Sequence, residues 1–210
     1  MFSNSRKSSD VPTSNEDSIQ LFPWVGEMFD ELNNLSILVG NVHDVPPQIA
    51  SGDKTSLAQK LDAAERRIHS LMHSEFSDDS DLGGSSYRWR AYPLAGNIFL
   101  YLYLRHVPLS STIFDYVVPN LQQALIETGG IDDTGIFPAD ALFWMLVMGG
   151  VAAVDRVQWQ WFRLNITKSS RLMGLNSWHD ARKILLQFPF TGGLCESMCQ
   201  SLWDELSKFS

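Results

Sequence analysis

YRWRAYPLAGNIFLYLYLRHVP, residues 87–108, decides the fold class. Its centre, NIFLYLYL, alternates well enough to pass for a strand. A strand needs a partner, and nowhere in the chain do alternating residues flank a hairpin turn or follow a β-α-β rhythm. The length of the apolar stretch also favours a helix, starting near Tyr92 with Pro93 tolerated in the first turn. The chain is therefore expected to be all-α, an array of about seven to eight helices, with successive ones paired antiparallel as helical hairpins.

Working outward from this stretch, the same helical period recurs on both sides. Upstream, Leu21, Val25, Phe29, Leu32 and Leu35 approximate one face of a helix over 19–39. Leu57, Leu61, Ala64, Ile68, Leu71, Met72 and Phe76 mark a second, with Asp62, Arg66 and His73 on its opposite face. HDVPPQIASGDKTS, 43–56, reads as a loop from its Pro, Gly and Asp content. SDDSDLGGSS, 77–86, reads as a flexible acidic connection, and the Ser-rich segment 1–18 as disordered. Residues 19–210 then form a single helical domain.

Downstream, a helix over 111–128 turns Phe114, Val117, Val118, Leu121 and Leu125 inward, and Pro119 should kink or split it. ETGGIDDTG, 127–135, is a loop, and Pro138 opens a helix apolar on nearly every side. Gly149-Gly150 inside that helix lowers its propensity, which points to a closely packed neighbour. Trp159, Trp161, Phe162, Leu164 and Ile166 belong to the next helix, closed by Gly174 as a left-handed cap. In SWHDARKILLQFPF, 177–190, Ser177 and Asp180 have capping-box spacing, the apolar face runs from Trp178 to Phe188, and Pro189 stops it. A last helix covers 194–209.

Composition narrows the function. The net charge is −8, with 16 Lys and Arg against 24 Asp and Glu and no basic run, so direct nucleic acid binding is not expected. ALFWMLVMGGVAAV, 141–154, falls about five residues short of a bilayer span. No secretory signal opens the chain, so Asn34-Leu35-Ser36 and Asn165-Ile166-Thr167 carry no meaning as glycosylation sites. The two cysteines, Cys195 and Cys199, fit a reducing compartment, so a soluble, intracellular and hence cytoplasmic protein is expected.

Each residue group that suggests chemistry has a plainer reading. His69 and His73 are spaced i, i+4, but Ser70 stands where a zinc protease has Glu, and no third ligand follows. Cys195 and Cys199 are also i, i+4, which is not the spacing of a zinc or redox motif, and they read as buried small residues. Asp78-Asp79-Ser80-Asp81 and Asp132-Asp133 resemble magnesium-binding clusters, yet both lie beside Gly and Ser in loops. His179 sits among Trp and Asp at a helix start, and the other four histidines have no plausible nucleophile near them in sequence. Trp144, Trp159, Trp161 and Trp178 fall at core positions. Trp203 projects away from the apolar face of the last helix, so it either plugs a neighbouring groove or marks an interaction surface. No catalytic, metal-binding or cofactor-binding residue is assigned.

Three segments together resemble one family. PADALFWMLVMGGVAAVDRVQWQWF, 138–162, is similar to a helix pair of fungal-specific transcription factor domains, the regulatory regions of fungal zinc-cluster activators. In that pair a Trp-containing apolar helix ends in Gly and small residues, followed by an arginine and an aromatic helix. SWHDARKILLQFPF followed by LCESMCQSLWDEL, within 177–206, resembles the closing pattern, through Trp178, Ile184, Leu185, Phe188, Phe190 and Trp203-Asp204-Glu205. RAYPLAGNIFLYLYLRHVP, 90–108, also fits.

The resemblance implies a nuclear, transcription-regulating module that responds to a protein partner or a small-molecule effector, with dimerisation allowed. The six-cysteine DNA-binding cluster of the family is missing. The chain is then either the C-terminal part of a longer regulator or a protein without a DNA-reading domain. The alternatives are a stand-alone helical protein that pairs with a related regulator, and a metal-dependent all-α enzyme.

Overall fold

The computed structural model describes residues 23–43, 51–73, 89–129 and 137–208. The segment 1–18, Leu21 and Phe76, residues 44–50 of the first expected loop, the acidic connection 77–86, the clusters Asp78–Asp81 and Asp132–Asp133, and residues 130–135 of the loop 127–135 lie outside the described residues. Within them the chain is all-helical, with no strand. Eight α-helices follow one another: α1 (Pro23–His43), α2 (Ser51–His73), α3 (Ala91–Phe99), α4 (Ile113–Glu127), α5 (Ala139–Ala152), α6 (Trp159–Leu172), α7 (Trp178–Leu185) and α8 (Leu194–Ser207). One continuous apolar core extends from Val25 of α1 to Leu206 of α8.

Two helices form its centre. Every residue of α3 is buried, and so is every residue of α5 after Ala139. Such helices can exist only when neighbours cover all sides, because no polar stripe is left to face water. α3 packs against α1, α2, α4 and α5, and α5 packs against α4, α6, α7 and α8. The remaining helices show one apolar face each. On α1 it consists of Val25, Met28, Phe29, Leu32, Leu35 and Val39. On α2 it consists of Leu61, Ala64, Ile68 and Met72. Arg67 of α2 joins these two helices at the surface by pairing with Glu27 and Glu31 of α1.

The glycine pair in α5 has the packing reason that its sequence implies. A methyl group at Gly149 would lie 2.2 Å from Cε1 of the fully buried Phe162, and one at Gly150 would lie 2.7 Å from Cδ1 of Ile166. The two glycines let α6 approach α5 more closely than any side chain would allow. α6 ends in a Schellman motif, with Gly174 at φ 68°, its N–H donating to the Arg171 carbonyl and the Leu175 N–H donating to that of Ser170. At the start of α7 the Asp180 N–H donates to Ser177 Oγ at 3.2 Å, and the Ser177 hydroxyl donates to the Asp180 carboxylate at 2.7 Å. That contact, with the cap backbone beside it, holds the Asp180 carboxyl below its ordinary range.

Several details differ from the sequence reading, beginning with α1, which runs past Val39 to His43. α2 begins at Ser51, not at Leu57. The polar residues 51–56 lack an apolar period, but apart from Gly52 each opposes helix by less than about 0.7 kcal/mol, which an attached helix overcomes. α4 is not split by Pro119, which lies inside one continuous helix. The carbonyl that the proline leaves without its N–H partner is that of Asp115, an exposed residue open to water, while Val117, Val118 and Leu121 hold both flanks in the core. α7 ends at Leu185, and Phe188 reaches the core from the turn beyond it.

α3 also holds a feature that the sequence did not announce. It continues without a break into a π-helical turn, Leu100–Leu104, in which the Arg105 N–H donates to the Leu100 carbonyl at 2.9 Å. His106, at φ 52°, and the Val107 N–H on the Tyr101 carbonyl at 2.8 Å close it.

Candidate functional site

The π turn places two phenols on two different neighbours. In LYLYL the tyrosines alternate with leucines, and all five side chains are buried. Two residues apart on a helix point to nearly opposite sides, so Tyr101 and Tyr103 meet different helices. The Tyr101 hydroxyl donates to Glu65 of α2 at 2.6 Å, with His69 Nε2 at 3.4 Å. Arg105, just past the turn, reaches Glu65 and Asp62 of α2 at 2.6 Å each. Asp62, Glu65, His69, Tyr101 and Arg105 thus form one polar seam between α2 and the end of the π turn. Below it lies Asn97, 1% exposed, whose amide is close enough to the Tyr101 hydroxyl to act on it.

Tyr103 points the other way, toward α8. Its hydroxyl lies 3.8 Å from Cys199 Sγ. Cys195 and Cys199 are both free and buried. Contact with Cys195 and then burial raise the Cys199 thiol well above its ordinary value, so it is neutral at pH 7 and a poor nucleophile or metal ligand. Burial, followed by the nearby thiols, raises Tyr103, and burial, followed by the bond to Glu65, raises Tyr101.

A pH dependence follows from these shifts. Both phenols ionise in the unfolded chain near the ordinary value of about 10 but resist ionisation in the folded one. The folded-state value is raised, so the contribution to stability is complete below pH 10 and is lost as pH rises through that value. Thermal melts followed by circular dichroism are expected to give a Tm that falls above about pH 10, and to fall less steeply for Tyr103→Phe. Identical slopes would show that the Tyr103 phenol ionises freely in the folded state.

The residues singled out from sequence occupy separate places. His69 belongs to the seam, whereas His73 is exposed at a shallow cleft beside Tyr116 and Asn120. Among the described residues no cluster of His, Cys, Asp and Glu has the composition of a metal site. Nor is any helix among them long and apolar enough to cross a membrane. Trp144 is fully buried, and Trp159, Trp161 and Trp178 are half-buried against the core. Trp203 is half-buried as well, and it borders a narrow crevice with Trp178, Ala181 and Leu202.

Arg156 and the groove on α6 were not foreseen. Arg156, in the turn between α5 and α6, donates to the carbonyls of Leu109, Ser111, Ala152 and Val154 and to the Asp115 carboxylate. The groove, of about 330 Å³, lies along α6 and has Leu206 of α8 in its wall. Their sequence signals were an arginine four residues past a buried helix, and a helix carrying Arg163, Lys168 and Arg171 with no acidic residue. Comparison of the chain with protein-family models, with curated proteins and with solved structures gives no match.

Proposed function

We propose that this chain is the regulatory, non-DNA-binding part of a fungal zinc-cluster-type transcription regulator, acting in the nucleus through contacts with a protein partner or effector. One observation carries the reading. The two stretches that most resemble the family, 138–162 and 177–206, fold against each other as one unit. Trp144 of the first stacks on Phe188 of the second, with centroids 5.7 Å apart, and its Nε1–H donates to the Pro189 carbonyl at 3.1 Å. Leu202 of α8 comes within 3.3 Å of the position a methyl group at Gly150 would take. Trp144, Leu185 and Phe188, three of the positions that carry the resemblance, are therefore core residues, which supports the reading.

A regulator of this kind works only if partner or effector binding differs between two states of the domain. The test is to fuse residues 1–210 to an unrelated DNA-binding domain and to measure a reporter placed under its sites. Output is expected to change about fivefold or more, up or down, relative to the DNA-binding domain alone at equal nuclear level. The core-breaking Trp144→Ala fusion should lose that change. Output equal to that of the DNA-binding domain alone would overturn the reading.

A further inference from the structure

We infer that Cys195, Cys199 and Tyr103 form a binding site for trivalent arsenic in its acid form, with arsenous acid bridging the two thiols and its remaining hydroxyl facing Tyr103. This goes beyond the transcriptional reading and does not rest on it, because it is measured by direct binding.

Three observations converge on the site. The cysteines stand one helical turn apart on α8, free, buried and in hydrogen-bond contact with each other. Side chains at this spacing have Cβ atoms about 5–6 Å apart on an intact helix. A disulfide needs about 3.5–4.5 Å, so joining the sulfurs directly would distort the first turns of α8. An atom inserted between the sulfurs spans the pair without that distortion. Next, the Tyr103 hydroxyl of the π turn faces the same pair, 3.8 Å from Cys199 Sγ and in contact with Cys195. Three protic groups from two elements thus meet inside an apolar core. Finally, Cys199 lines the narrow crevice that Trp178 and Trp203 border, which marks the side from which a small neutral molecule reaches the pair.

Charge selects the occupant. The Cys199 thiol keeps its proton at pH 7, through its contact with Cys195 and its burial, and the Tyr103 phenol does so through burial. A divalent cation needs thiolates, and would have to expel protons within surroundings that penalise charge. Arsenous acid is itself neutral at pH 7 and condenses with neutral thiols. Each thiol forms an As–S bond, its S–H bond and one As–OH bond break, and the proton leaves with that hydroxide as water. Two waters are released, arsenic stays trivalent, and no charge enters the core. The third As–OH is left beside the Tyr103 hydroxyl as a hydrogen-bond partner.

The experiment titrates the full chain, kept reduced with a phosphine, with sodium arsenite at pH 7, by calorimetry and by thermal melts. One arsenic per chain is expected, with a Tm that rises with arsenite because the bridge fits the folded helix. Cys195→Ala and Cys199→Ala should each weaken binding about a hundredfold or more, since a lone thiol loses the intramolecular second bond. Tyr103→Phe should weaken it about twofold to tenfold through the lost hydrogen bond.

Absence of binding to the wild-type chain would overturn the proposal. A Tm that falls with arsenite would do the same, because the thiols would then be captured only from the unfolded chain. Unchanged affinity in either alanine variant or in Tyr103→Phe would also overturn it. Tighter binding of zinc or cadmium ions than of arsenite would overturn it in favour of a metal cation. The Tm shift is read on the wild-type chain, so the proposal can fail even where a variant does not fold.

Discussion

Replacing Trp144 by alanine is expected to cost about 3–5 kcal/mol, the largest effect of any single substitution considered for this chain. The indole is fully buried at the middle of α5. It stacks on Phe188 at 20° and meets Phe29 of α1 edge-on, with centroids 5.2 Å apart. Phe29 in turn meets Tyr92 of α3 at 6.0 Å, so linked rings join α1, α3, α5 and the turn after α7, and the indole is one of them. Removing it leaves a cavity whose walls belong to several helices and cannot collapse together. Trp144→Phe keeps most of the volume but leaves the Pro189 carbonyl without its donor, for which about 1–3 kcal/mol is expected. A domain of this kind is stable by about 5–15 kcal/mol, so the alanine variant should be partly unfolded at modest urea concentrations. Equilibrium urea unfolding followed at 222 nm checks this, and a midpoint equal to that of the wild type would refute the account.

Arg156→Met is expected to cost about 2–4 kcal/mol, for a reason that has little to do with charge pairing. The guanidinium is only 12% exposed, and Nη2 donates to the carbonyls of Leu109 at 2.7 Å and Ser111 at 3.1 Å. Nη1 donates to Ala152, at the C-terminal end of α5, at 2.9 Å. The group also lies 5.6 Å from the centre of the buried Phe114 ring. One side chain therefore satisfies the carbonyls of two chain segments that meet in front of α4. The partner carboxylate, Asp115, is 61% exposed, so the ion pair itself contributes little. Asp115→Asn should then be close to neutral, within about 0.5 kcal/mol. Arg156→Lys should recover only a minor part of the loss, because an ammonium cannot fork between segments as a planar guanidinium does. The three variants, measured side by side by urea unfolding, separate the two causes. A large loss in Asp115→Asn would mean that the charge, not the carbonyl contacts, matters.

Arg156 also shows where sequence reading stops. The arginine after the apolar helix is conspicuous in the sequence, and its position belongs to the family resemblance. Its work is done on carbonyls more than forty residues upstream. No local signal marks which backbone groups a distant turn will leave in need of a donor. The α6 groove is a similar case. The leucines and the cations of α6 are visible in the sequence, but a helical wheel does not say which of its sides a neighbour will cover.

Local rules settled a good part of the chain. Each of the eight α-helices among the described residues was anticipated, most of them from an apolar period of three to four residues that only a helix can turn to one side, and α3 and α5 from long apolar runs. The Ser177 cap, the Gly174 Schellman turn and the close approach at Gly149-Gly150 were also legible, because each is a constraint between residues near in sequence or on the backbone itself. Tertiary packing decided the rest. It carried α4 through Pro119 and extended α2 back to Ser51, where propensity differences of well under 1 kcal/mol give way to burial. It wound Leu100–Leu104 into a π turn, so that Tyr101 meets Glu65 while Tyr103 meets Cys199. The sequence by itself thus determined where the helices lie and, for the amphipathic ones, which face is buried, since both follow from short-range periodicity. Which buried residues meet depends on contacts between helices far apart in the chain, and those exist only once the helices have packed.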